Sequence, residues 1–418
     1  MLTKLLPHQQ YGLKWLLSRE PTTHSQPNKR STIYGAILGD EMGLGKTIQT
    51  IALIEQSHLK FTAIFAPASL THMWKNQIHK FSDKIETHII ADEGDLVEFL
   101  RERDRTMKTV VICSYARSFR RTVLSQLPFD RIVCDEAHYF RNPKSRTYKY
   151  LRTLQSKSRI LLSGTPLQNK VQDIITLINF IAKDEYKLSI ENIRLFIKHF
   201  MLARTLKSVG VALPEMTEIN HENYAPRDNH SVISRVNYVD LKPLVKILRQ
   251  KQACVFPESL NNTDINRDFE IESNENARAN TIIKHVTERN EKCLIFTEFR
   301  NEQKYIYNQL KDNFKVVLIH GGVPLEDRAQ ICDDLSIDIL IIQIQTGCVG
   351  LNLQHFATIY FTNRQWNPTV IKQAIGRINR IGQKSEMKVY HFTYTNSIEE
   401  RINYIAQRKL DLIKKILY

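Results

Sequence analysis

Short apolar runs, most of them followed directly by a polar or glycine-rich motif, alternate with helical stretches twice along this chain of 418 residues. Near-continuous apolar strands need cover on both faces, so the pattern predicts two mostly parallel sheets clad in helices, an α/β architecture whose chemistry gathers at strand ends. The candidate strands are 62–66, 110–113, 132–134 and 160–162 in the first half, and 293–296, 316–319, 339–342, 359–361 and 389–392 in the second. A length of about 150 residues per domain gives two or three domains. The expected divisions are a first lobe over 1–214, a connector or helical linker over 215–285 and a second lobe over 286–418. Within the connector SLNNTDINRDFEIESNENARAN is polar and poor in apolar residues, and PTTHSQPNKRST at 21–32 reads as a surface loop. Ile402, Ile405, Leu412, Ile413 and Ile416 recur at helical spacing and predict an amphipathic helix closing the second lobe.

The segment GDEMGLGKT at 39–47 follows the apolar stretch 33–38 and precedes IQTIALI, which has helical character. A strand, a glycine-rich loop and a helix in that order suit phosphate binding, because a curled backbone aims its N–H groups at phosphate oxygens and the helix adds its positive end. Gly43 and Gly45 allow the curl, Lys46 supplies a point charge for the β and γ phosphates, and Thr47 offers a hydroxyl to Mg²⁺. Asp135 and Glu136 close the short strand 131–134, 89 residues after Lys46. Adjacent carboxylates repel each other unless a cation or polarised water sits before them, so Asp135 is expected to hold Mg²⁺ and Glu136 to deprotonate the attacking water.

Composition narrows the function further. The net charge of +15 favours a polyanionic partner, with nucleic acid the default. Six scattered cysteines, Cys113, Cys134, Cys254, Cys293, Cys332 and Cys348, form no CxxC pair, which argues against structural zinc and fits a reducing compartment. No apolar run approaches the roughly 18 residues that span a bilayer, so an intracellular protein without a membrane partner is expected. Trp74 and Trp366 read first as core anchors, and His320 and His391, which lack ligand spacing, as structural.

Taken together these motifs resemble the Swi/Snf-type ATPases of helicase superfamily two, whose motor is a pair of RecA-like lobes with the ATP site in the cleft between them. DEMGLGKT at 40–47 matches the family's phosphate loop unchanged, and LLPHQQYGLKWL at 5–16 resembles the motif in which Gln9 would read the adenine edge. FAPASL at 65–70 followed by Trp74, CSY at 113–115, DEAH at 135–138 with RNPKS at 141–145, and SGTPLQN at 163–169 are similar to the remaining first-lobe motifs. LIFTEF at 294–299, HGG at 320–322 with Arg328, VGLNLQ at 349–354, QWNP at 365–368 and QAIGRINRIGQ at 373–383 continue the series. The resemblance implies that Gly350 borders the nucleotide and that Arg377 and Arg380 are arginine fingers. It also implies that Ser69, Ser114, Ser163, Thr165, Asn352 and Trp366 couple hydrolysis to DNA. Three stretches depart from the pattern: Thr346-Gly347-Cys348 stands where Ala-Gly-Gly is usual, Lys372 replaces an acid, and Ala203-Arg204-Thr205-Leu206 replaces Arg-Arg-Thr-Lys. The compact size and motif wording are also similar to the global transactivator proteins of baculoviruses.

The function implied is an ATP-driven, Mg²⁺-dependent translocase on double-stranded DNA that remodels protein–DNA complexes in transcription, chromatin or repair, with chromatin or transcription proteins as partners. Such a protein would act as a monomer in the nucleus, a host's nucleus if the chain is viral. Guanidinium groups reaching the γ-phosphoryl oxygens only when the cleft closes tie hydrolysis to lobe movement. Two alternatives stand beside it: a strand-separating DNA or RNA helicase, and a transcriptional regulator acting as a low-turnover scaffold.

Overall fold

The apolar runs fold as strands of two sheets in which every pairing is parallel. In the computed structural model the described residues are 2–21, 33–90, 92–104, 106–118, 122–164, 170–224, 227–261, 263, 271, 276–347 and 351–417. One unit comprises Met1–Ala212 with Asp411–Tyr418, the other Leu213–Leu410.

The first unit carries β1 (Gly35–Leu38), β2 (Phe61–Ala66), β3 (Ile85–Ile89), β4 (Lys108–Ser114), β5 (Phe129–Asp135), β6 (Ser156–Leu162) and β7 (Met201–Leu202) in the order β3-β4-β2-β5-β6-β1-β7. Ala63 and Phe65 of β2, Val111 and Cys113 of β4, and Ile132 and Cys134 of β5 fill one hydrophobic cluster, while the intervening Ile64, Ile112 and Val133 are equally buried. A period of two with both phases apolar is what a sheet covered on both faces requires. β3 was not expected from sequence: IETHI at this edge of the sheet is only partly buried and lacks the apolar run that marks a central strand.

The second unit carries β8 (Met216–Tyr224), β9 (Cys293–Thr297), β10 (Val316–Ile319), β11 (Ile339–Gln343), β12 (Thr358–Phe361) and β13 (Met387–Thr395), ordered β10-β11-β9-β12-β13-β8. Its two faces separate cleanly. Cys293 and Ile295 of β9 join one cluster with Ile339, Ile341 and Tyr360, whereas Leu294 and Phe296 join another with Leu340, Ile342 and Ile359.

The stretch 215–285, expected as a connector, contributes structure to this second unit. β8 is an edge strand beside β13, and helices Arg227–Tyr238, Pro243–Val255 and Ala277–Arg289 pack Val232, Ile233, Val236, Ala253, Cys254, Ile282 and Val286 into the first of those clusters. The C-terminal helix Ile398–Leu417 differs from its expectation too. Ile402 is buried, but Leu412, Ile413 and Ile416 pack against the first unit's core, and the Arg194 guanidinium donates to the Lys415 carbonyl at 2.9 Å. Apart from Pro21, the loop expected at 21–32 lies outside the described residues. Two all-parallel sheets clad in helices are the RecA-like arrangement.

Candidate functional site

Five motifs of the first unit follow the C-terminal ends of parallel strands, so register alone gathers them along one edge of the sheet. β1 runs into the loop at 39–45, which turns through Gly43 at φ 92° and Gly45 at φ 79°, the left-handed region that glycine tolerates without strain. A Cβ on Gly45 would come within 2.6 Å of Gln9 Nε2, so the loop closes on the side chain beneath it. Helix α1 (Pro7–Leu17) is fastened there: Gln9 Nε2 donates to the Leu44 carbonyl at 3.4 Å, His8 Nε2 lies 3.2 Å from the same oxygen, and Gln9 Oε1 accepts the Leu6 N–H at 3.0 Å. Each end of the Gln9 amide therefore has a protein partner. Helix α2 (Lys46–Gln56) begins at the lysine, whose Nζ donates to the carbonyls of Asp40 at 2.7 Å and Glu41 at 3.4 Å; Thr47 is the next residue of that first turn, half-buried.

Asp40 is fully buried, and a buried carboxylate demands a cation. Arg204 supplies it with Nε on Oδ1 at 2.9 Å and Nη2 on Oδ2 at 2.5 Å. The same guanidinium reaches the His8 carbonyl at 2.6 Å and Gln49 Oε1 at 3.0 Å, tying loop, α1 and α2 together. The sequence reading placed Arg204 only in a stretch that departs from the family pattern and named no role for Gln49, although an acid in the phosphate loop was a signal that a basic partner would be found.

β5 ends at Asp135, and Glu136 takes φ 49° and ψ 51°, a strained conformation for a non-glycine residue of the kind that clusters at functional sites. Trp74, on helix α3 (Thr71–Phe81) and with no exposed surface, donates its indole N–H to Asp135 Oδ2 at 2.8 Å. The Glu136 N–H donates to Oδ1 at 2.9 Å and the Tyr115 hydroxyl to the Asp135 carbonyl at 2.7 Å. Burial, and then the charge of Glu136, push the Asp135 carboxyl up to about 6. His138 Nδ1 lies 3.2 Å from Glu136 Oε2.

β6 lies between β1 and β5, which brings its end to the phosphate loop. Ser163 is buried and its N–H donates to the Leu38 carbonyl at 3.2 Å, while a Cβ on Gly164 would sit 3.5 Å from Lys46 Nζ. Ser69 lies half-exposed in the 3-10 turn Ala68–Leu70 after β2, and Ser114 is the buried last residue of β4. Thr165 and Gly350 fall outside the described residues.

In the second unit Arg377 and Arg380, three residues apart, do not share a helix. Helix Pro368–Ile375 ends on Gly376, and both arginines lie in the turns beyond it. Arg377 is buried. Arg380 Nε donates to the Gly376 carbonyl at 3.0 Å and Nη1 approaches Asn352 Oδ1 at 3.5 Å. Burial, with the charge of Arg377 added, pulls Arg380 down to about 9, so two guanidinium groups are held near one another against their repulsion. Asn352 is exposed, and Trp366 is half-buried with its carbonyl accepting from Lys409 Nζ at 2.7 Å. Sequence reasoning also missed Glu298 after β9, which pairs with Lys251 Nζ at 2.6 Å and accepts from Asn363 and Gln365.

These residues fit a nucleoside triphosphate with Mg²⁺. The loop is built around two glycines in the left-handed region and a lysine at a helix start. Asp135 offers a hard carboxylate, and no cluster of three or more His, Cys, Asp or Glu able to cage a metal occurs among the described residues. Mg²⁺ suits such a site, since it takes one or two protein oxygens and completes its shell with phosphates and water.

A family model described as SNF2-related domain matches residues 8–200, and one described as Helicase conserved C-terminal domain matches residues 277–382. The ISWI chromatin-remodeling complex ATPase ISW1 of Saccharomyces cerevisiae is 25% identical over 99% of this chain and 40% of its own length. The putative ATP-dependent helicase/translocase YwqA of Bacillus subtilis is 26% identical over 99% of this chain and 49% of its own. Among solved structures, the Sulfolobus solfataricus SWI2/SNF2 ATPase core in complex with dsDNA aligns at 25% identity over 100% of this chain and 93% of that one, with a TM-score of 0.45. Strand ends bearing a phosphate loop and a DEAH acid pair, followed in the chain by a helicase C-terminal domain, are those of a helicase-type ATPase. The chain belongs to the Swi/Snf-type ATPases of helicase superfamily two. It spans between two fifths and half of the length of these two curated relatives.

Proposed function

We propose that the protein is an ATP-driven translocase on double-stranded DNA that remodels protein–DNA complexes. The observation that carries the reading is the convergence of Lys46, Gly164, Asp135 and Glu136 on the ends of β1, β6 and β5, with a buried Arg377 and a half-buried Arg380 on the second unit. Its relatives carry the words chromatin-remodeling complex ATPase and helicase/translocase in their names, and the charge of +15 suits a phosphate backbone.

In this reading Lys46 and the amides of the loop bind the triphosphate, and Thr47 and Asp135 hold Mg²⁺, which when bound offsets phosphate charge. Glu136, set by its strained backbone and with His138 Nδ1 3.2 Å from its Oε2, orients a water and takes its proton. Arg377 and Arg380 neutralise charge that grows on the γ-phosphoryl oxygens. Ser69, Ser114, Ser163, Thr165, Asn352 and Trp366 couple that chemistry to the DNA track, and Gly350 borders the nucleotide. The chain acts as a monomer on chromatin or transcription complexes in the nucleus.

ATP hydrolysis by the full chain, measured with duplex DNA, single-stranded DNA and RNA at several salt concentrations, tests this. Stimulation by duplex DNA that weakens with salt and disappears in Lys46→Ala and Glu136→Gln is expected. A response to single strands alone would replace the reading with a strand-separating helicase, whose track needs base stacking. Equal turnover with and without every nucleic acid would leave a simple ATPase.

A further inference from the structure

Trp74 is the residue whose surroundings exceed what packing requires. It has no exposed surface, sits in the first turn of α3, and spends its one polar atom on Asp135, 61 residues away, at 2.8 Å. Asp135 Oδ1 is held by its neighbour's backbone N–H, a bond that any residue at 136 other than proline would make. The bond to Oδ2 depends on an indole, because a phenylalanine or leucine of similar packing value has no donor there.

The helix that carries Trp74 is continuous with the loop after β2. Leu70 N–H donates to the Pro67 carbonyl at 2.9 Å and Thr71 Oγ1 to the Ala68 carbonyl at 3.0 Å, so the turn Ala68–Leu70 is closed and passes straight into α3. Ala68 and His72 are exposed and Ser69 half-exposed on this segment, at the same sheet edge as the phosphate loop. A displacement of the turn therefore moves the indole within one helical turn, and the indole moves a buried carboxylate oxygen. Partners of this kind around a ligating carboxylate orient it and tune the metal it holds.

We propose that Trp74 is a positioning residue that orients the Asp135 carboxylate for its metal and transmits engagement of a nucleic-acid backbone at the Ala68–Leu70 turn to that carboxylate. The inference rests on the translocase reading and adds the physical link between its two ends.

Trp74→Phe keeps an aromatic ring and removes the N–H. The Mg²⁺ concentration giving half-maximal binding of a fluorescent ADP analogue is expected to rise by roughly 10-fold or more, and the ratio of ATP turnover with to without duplex DNA is expected to fall toward unity. Should the variant fold poorly by circular dichroism, the wild-type chain labelled with 5-fluorotryptophan serves instead. Its three tryptophans, Trp15, Trp74 and Trp366, give three ¹⁹F signals assigned by single Trp→Phe changes, and the Trp74 signal is expected to shift with Mg²⁺-ADP and again with duplex DNA. Duplex DNA that fails to stimulate the wild type overturns the translocase reading itself. Wild-type stimulation shared equally by Trp74→Phe, with unchanged Mg²⁺ dependence, or a Trp74 signal indifferent to both ligands, overturns this inference alone.

Discussion

At the strand ends of the first unit Lys46 stands with the acids Asp135 and Glu136, while in the phosphate loop Asp40 is neutralised by Arg204 and Glu41 accepts the Leu206 N–H. The second unit brings arginines to its strand ends, Arg300 after β9, Arg364 after β12, and Arg377 and Arg380 beyond the helix that follows, while its acids there include Glu298 and Glu302 after β9 and Glu326 and Asp327 after β10. Glu298, an acid there, is neutralised by Lys251 at 2.6 Å. Two sheets of the same parallel type thus present different chemistry, an acid pair beside a lysine on one and a pair of arginines on the other, because strand-end loops escape the packing demands that make the strands alike. In the proposed function triphosphate cleavage uses both sets: acids to hold a metal and take a proton, and cations to meet the charge that develops.

The sharpest way to break this contrast is to remove a second-unit cation. Arg380→Ala is expected to lower DNA-stimulated ATP turnover by roughly 10³ to 10⁵ while leaving binding of a fluorescent ADP analogue near wild type; lost binding with unchanged kcat would assign Arg380 elsewhere. Glu136→Gln, on the first-unit side, should reduce kcat by roughly 10² to 10⁴ with KM little changed, as steady-state kinetics will show.

Structural pairs sharpen the same contrast. Arg278 and Glu399 form a buried two-bond pair at 2.7 and 2.6 Å in the second unit. Arg278→Met leaves Glu399 without its cation and should cost about 3 to 5 kcal/mol by urea unfolding; Arg278→Met with Glu399→Leu should recover much of that loss. A smaller effect concerns pH. Glu302 is fully buried in the second unit, and burial pushes its carboxyl up to about 7 against an ordinary 4.5. Between those values the folded chain keeps a proton that the unfolded chain has released, so this group's contribution to stability falls as pH rises through that window. Glu302→Gln should flatten the fall in Tm between pH 5 and pH 8; an unchanged slope would show that Glu302 is not its source.

The motifs that bind nucleotide were legible because each is local: a strand, a glycine turn and a helix start within nine residues, or two acids ending a short apolar run. Contacts that hold them were not. Arg204 meets Asp40 across 164 positions and Trp74 meets Asp135 across 61, and nothing in the intervening sequence encodes either meeting. Edge strands escaped for another reason. β8, MTEINHENY, pairs only with β13, so it lacks the continuous apolar run by which central strands such as β9 declare themselves. Helical spacing placed the C-terminal helix correctly along the chain, but periodicity says which face is apolar and not which core receives it, and Ile416 went to the first unit.

Whether acids and cations serve one chemical step is decided most directly by combining them. Turnover of ATP with saturating duplex DNA, measured for Glu136→Gln, Arg380→Ala and the double variant, should show the double losing no more than the more impaired single, since groups that act as a unit are not additive. Losses that multiply in the double variant would mean that the two units act on separate steps.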